Sequence, residues 1–70
     1  MSKRDYVLIA GAIRSELETA RGNFEPIGAR AIEETARAVA RELGNDNPRF
    51  DGLRFLRACG LSDEAIGRQA

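Results

Sequence analysis

Asn47-Pro48-Arg49-Phe50-Asp51-Gly52-Leu53-Arg54-Phe55-Leu56-Arg57-Ala58-Cys59-Gly60 holds the start, body and stop of one short helix. It follows the turn cluster Gly44-Asn45-Asp46-Asn47-Pro48, a run of residues that favour bends over regular structure. Asp51 is placed to cap the first free N–H groups, and Phe50 before it meets Phe55 four residues into the helix as a hydrophobic staple. Leu53, Leu56 and Cys59 continue the inner face. Gly60 then stops the helix, Leu61 folds back over its last turn, and Ser62 caps a final short helix containing Ala65 and Ile66.

Working back along the chain, Ile32, Ala36, Val39, Ala40 and Leu43 keep a helical period that starts near Pro26 or Ile27 and that Gly44 closes as a left-handed cap. Proline suits a first helical turn, and the residue before it is pushed away from helical geometry. Phe24 folds back as a plug on this reading, and Arg30 with Glu34, and Glu33 with Arg37, pair four residues apart along a solvated face. The alanines at 29, 31, 36, 38 and 40 permit close helix approach.

A first helix is signalled by Ser2 and Asp5, which have the spacing of a capping box. Tyr6, Ile9, Ala10, Ile13, Leu17 and Ala20 recur at three- and four-residue steps, one buried stripe from about Lys3 to about Ala20. Val7 and Leu8 widen that stripe, as a broad core face or as a contact with another molecule, the former being favoured. The expected architecture is all-α: a small three-helix bundle with a short C-terminal fourth helix or turn, forming a single helical domain over residues 1–70.

Composition narrows the function. A 70-residue chain has sixteen Leu, Ile, Val and Phe side chains, and an enclosed ligand pocket of about 300 to 1,000 Å3 would consume most of them as lining. With no His and a single Cys, the chain has no His-based triad, His metal site or internal disulfide. The carboxylates fall mostly on outward helical faces, Cys59 has no His to activate it and reads as a buried thiol, and no phosphate-binding glycine string is present. No catalytic residue, cofactor or metal is expected, and the chain reads as non-enzymatic. The longest apolar stretch, Tyr6 to Ile13, is eight residues and far short of a membrane span. A lone Cys and the lack of a secretory pattern point to the cytoplasm.

What remains is binding. Eleven Lys and Arg balance eleven Asp and Glu, so the chain has no strongly basic field. The segment from Phe55 through Gly60 and Ser62 to Ile66 has the outline of a helix-turn-helix, but Leu56 sits where that motif prefers a small residue, and Asp63-Glu64 would meet phosphate. DNA is the lesser alternative. The favoured reading is a protein-interaction surface on the third helix, with Arg49, Arg54 and Arg57 as partner-binding residues around the apolar set Phe50, Leu53 and Phe55, because Arg and aromatic residues carry interface energy. The competing structural account has these Arg stems covering a core seam. A homodimer is also open, since a widened apolar stripe on so small a chain can be completed by a second copy.

The start Lys3-Arg4-Asp5-Tyr6-Val7-Leu8-Ile9-Ala10 and the segment Asn47 to Gly60 resemble small phage, prophage and plasmid-borne proteins of high-GC bacteria, in which an Arg/Lys-x-Asp-Tyr-x-x-Ile-Ala start and an Asn-Pro-Arg-Phe-Asp-x-x-Arg-Phe-Leu-x-Ala-Cys-Gly end bracket a variable middle. The likeness covers a little under a third of the chain. It implies an accessory protein of a mobile element working in a bacterial host cytoplasm by binding a host protein, as an inhibitor of a host or defence factor such as an anti-CRISPR does.

Overall fold

Ser2 begins the architecture. Its hydroxyl accepts the Asp5 N–H at 3.4 Å while the Asp5 carboxylate accepts the Ser2 N–H at 2.9 Å, so two donors that no helical carbonyl can reach are satisfied together. In the computed structural model, which describes residues 1–67, helix α1 runs from this cap over Lys3–Gly22 and α2 over Pro26–Asp46. A short α3 covers Gly52–Ala58 and α4 covers Asp63–Gly67. No strand occurs among the described residues, and the fold is a small all-α three-helix bundle with a short fourth helix. Residues 68–70 of the expected domain lie outside the described residues.

The core sits where α1 packs on α2 and α3 packs on both. Ala10, Leu17, Ala36, Ala40, Phe55, Leu56, Cys59, Leu61 and Ala65 are buried in one cluster, flanked by half-buried Tyr6, Ile9, Ile13, Ile32, Val39 and Leu43. Alanine dominates the facing stripes of the two long helices, which lets their backbones approach closely and leaves Leu17, Leu56 and Cys59 as the largest fully buried side chains.

Two helix ends close by the same device with different residues. At the end of α3, the Leu61 N–H donates to the Leu56 carbonyl at 3.2 Å and the Gly60 N–H to the Arg57 carbonyl at 3.0 Å, a Schellman motif with Gly60 at φ +88°. At the end of α1, the Glu25 N–H donates to the Ala20 carbonyl at 2.9 Å and the Phe24 N–H to the Arg21 carbonyl at 3.1 Å. Here the left-handed position is held by Phe24, at φ 56°.

Several expectations are corrected. Phe24 is no plug: it is 90% exposed. A staple residue needs a partner four places beyond the helix cap, and after the Glu25 cap that position is Ala29, a single methyl, where the Asp51 cap offers Phe55. Gly44 does not end α2, which continues to Asp46; Pro48 stops it, by forcing Asn47 to extended φ −134°, ψ 103°. The first helix likewise runs two residues past the expected Ala20.

Leu53 is exposed, because a seven-residue helix buries one stripe and Phe55, Leu56 and Cys59 occupy it. Val7 and Leu8 are exposed and do not form the broad core face expected of them. Glu33 is not on a solvated face. It is buried and takes an ion pair from Arg21 at 3.3 Å, while Arg37 donates to the Ala65 carbonyl at 3.2 Å. Arg30 and Glu34 form no ion pair among the described residues.

Candidate functional site

The loop after α2 builds the most developed surface feature. Its Asn47 side chain accepts the Arg49 N–H at 3.1 Å, which fixes the turn through Pro48 and delivers Phe50 toward α1. The Phe50 ring then lies 4.9 Å from the Tyr6 ring and 5.4 Å from the Phe55 ring, each pair tilted at 57°, a geometry aromatic rings prefer. The staple predicted between Phe50 and Phe55 is therefore present, and Tyr6 extends it across to α1. Asp51 caps α3, accepting the Arg54 N–H at 3.0 Å.

Between the first half of α1 and the start of α3 this leaves a groove of about 480 Å3. It is lined by apolar Tyr6, Val7, Ala10, Phe50, Phe55 and Ala58, and among its polar lining are the cations Lys3, Arg49 and Arg54 and one carboxylate, Asp51. The aromatic rings supply apolar area on rotamers already fixed by packing, so an entering side chain would meet a preformed surface. Among the described residues, Lys3, Arg49 and Arg54 make no ion pair. The nearby carboxylates are committed to backbone: Asp51 to its cap and Asp5 to Ser2. The Ser2 N–H, and after it the Ser2 hydroxyl, hold the Asp5 carboxyl below the ordinary carboxylate value.

Arg49 and Arg54 are thus brought together on one rim. Arg57 is not. It does not line the groove, and its guanidinium lies 3.6 Å from the Asp63 carboxylate in an exposed pair. The residues that sequence reasoning missed are Lys3, Tyr6 and Val7, which join the site only because α1 packs beside the Phe50 loop. The exposure of Val7 was foreshadowed in the stripe that widened at the start of the first helix. A smaller recess of about 270 Å3 between α1 and α2, lined by Ala12, Ile13, Glu16, Ile32 and Thr35, has no cation.

Cys59 is fully buried and unbonded, and desolvation pushes its thiol up to about 11 from 9.0. Among the described residues, no three His, Cys, Asp or Glu side chains converge as a metal site would require. No helix among them is long and apolar enough to cross a membrane. Comparison of the chain with protein-family models, with curated proteins and with solved structures returned no match.

Proposed function

We propose that this protein is a non-enzymatic accessory protein that acts by binding a host protein through the groove between α1 and α3. The observation that carries the reading is an aromatic floor edged by three cations that make no ion pair among the described residues, against one lining carboxylate, Asp51, that caps α3. Such a surface fits a protein segment with an apolar anchor flanked by carboxylates, the anchor filling the space over Phe50 and the acids meeting Arg49 and Arg54. The likeness of the chain's two ends to phage and plasmid-borne proteins supports a host partner, and inhibition of a host or defence factor is the kind of action this binding would serve. Arg57 lies apart from the groove and belongs to the α3–α4 corner on this reading.

Binding of DNA through α3 and α4 has weaker support. The helix that would enter the groove begins with Asp63 and Glu64, both exposed, and their carboxylates would face phosphate. The test is affinity capture from host lysate with and without nuclease, comparing the intact chain with Arg49→Glu/Arg54→Glu. A stoichiometric host protein that survives nuclease and disappears with the double variant is the expected result. Nuclease-sensitive DNA recovered equally by both baits would overturn it.

A further inference from the structure

The turn between α1 and α2 carries the ligand chemistry that the groove selects. Phe24 and Ile27 are 90% and 86% exposed, the two most exposed of the large apolar side chains. Between them stands Glu25, exposed and without an ion-pair partner among the described residues. Arg21, the nearest preceding cation, is held on Glu33 and on the Gly60 carbonyl. An aromatic and an aliphatic side chain therefore project as a knob, and the Glu25 carboxylate lies at its base, with Oε2 3.7 Å from where a Cβ on Gly28 would stand. The left-handed Phe24 backbone, fixed by the two hydrogen bonds to Ala20 and Arg21 carbonyls, holds the ring out from the bundle.

The knob cannot reach the groove of its own chain. Tyr6 and Phe24 are separated by most of α1, about 27 Å at 1.5 Å per residue, in a molecule 35 Å along its longest axis. Knob and groove lie at opposite ends and are complementary in shape and sign: a projecting apolar pair with one carboxylate, and an apolar recess of about 480 Å3 whose three cations outnumber its one carboxylate, Asp51. We infer that the occupant of the groove in the free protein is the Phe24–Ile27 turn of a second copy, so that chains associate head to tail and a host partner gains the groove by displacing that copy. This rests on the groove being a docking surface. Surfaces that differ in this way make a heterologous contact, which grows into chains or closes into a ring according to the rotation between copies. Two anchoring side chains are a small contact beside the roughly 800 Å2 per partner of a standard interface, so the association is weak and reversible.

Sedimentation equilibrium of the intact protein up to roughly 1 mM, where association as weak as about −4 kcal/mol registers, tests this. Average mass should rise with concentration. Phe24→Gly, which removes the ring, and Arg49→Glu/Arg54→Glu, which reverses the rim, should each weaken association tenfold or more. An equimolar mixture of the two variants should form a dimer and stop there, because one intact knob meets one intact groove. Thermal melts of both variants verify that they are folded, and Glu25→Arg added to the rim reversal should restore self-association. A wild-type protein that stays monomeric, a variant that associates as the wild type does, or a mixture that fails to pair would each overturn the inference. The docking reading fails separately: a host protein lost with the rim reversal but retained by Phe24→Gly keeps that reading standing even where self-association is absent.

Discussion

Phe24 and Gly60 occupy the same place in the same turn, and only one of them suits it. The left-handed conformation brings Cβ against the following carbonyl, at roughly 1 to 2 kcal/mol for a residue with a side chain. Gly60 avoids this, and a Cβ there would also lie 3.3 Å from the Arg14 side chain. Phe24 bears the strain while its ring, almost wholly in water, recovers nothing within the chain. Phe24→Gly should therefore stabilise the monomer by about 1 kcal/mol, a rise of roughly 4 to 8 °C in Tm for a domain of this size. Thermal denaturation at high dilution measures it, and a fall in Tm would show that the ring packs on the bundle. Sequence reading finds the Gly60 turn because glycine advertises it. The Phe24 turn escapes it, since nothing in the residue type announces a left-handed backbone.

Cys59 gives a second prediction at this scale. Burial raises its thiol to about 11 from 9.0, so the folded state retains a proton that the unfolded chain releases earlier. The stability this contributes is full below about pH 9 and is lost as pH rises toward 11. A thiol reagent at pH 8 should leave the folded protein unlabelled and label it once unfolded in urea. Cys59→Ala should have a flatter decline in stability over the alkaline range than the parent chain. Rapid labelling under native conditions would contradict the burial.

At the scale of elements, short helices depend on their ends. A seven-residue helix lies below the length at which helices persist alone, so α3 needs its Asp51 cap, its Phe50–Phe55 staple and its Gly60 closure. All three signals are local, which is why the sequence reading places this helix and its cap correctly. Asp51→Ala should cost about 1 kcal/mol, visible as a lower urea midpoint, while Asp51→Asn keeps a capping oxygen and most of the stability. The same logic sets the acid behaviour of α1. Asp5, held below its ordinary 3.8 by the Ser2 N–H and hydroxyl, supports the cap at neutral pH and releases it as pH falls through its folded value. An NMR titration of the Asp5 carboxyl should have its midpoint below 3.8, and Ser2→Ala should move it upward. The end of α2 shows the limit of local reading: Gly44 and Pro48 are both stop signals, and the helix obeys the steric one.

Across the whole molecule, arginines divide by what tertiary packing does with them. Arg21 ties three parts of the bundle, donating to the Gly60 carbonyl at 3.1 Å and pairing at 3.3 Å with a Glu33 whose side chain is 12% exposed. The side chains of Arg49 and Arg54 make no ion pair among the described residues. Sequence alone shows all three as exposed cations near acids. The clustering of Arg49 and Arg54 about the Asp51 cap is visible because it is local; the burial of Glu33 and the approach of Tyr6 to Phe50 are not, because they arise only when separate helices meet. One substitution type applied at both places separates the roles. Arg21→Ala removes one cation from a buried carboxylate and the side-chain donor from the Gly60 carbonyl, at roughly 1 to 3 kcal/mol, and should lower Tm by several degrees. Arg49→Ala/Arg54→Ala truncates exposed side chains that make no ion pair among the described residues, so Tm should move by less than about 0.5 kcal/mol in equivalent stability while host-protein capture falls. If the rim pair lowers Tm as much as Arg21 does, those side chains are part of the fold and the groove loses its claim as a docking surface.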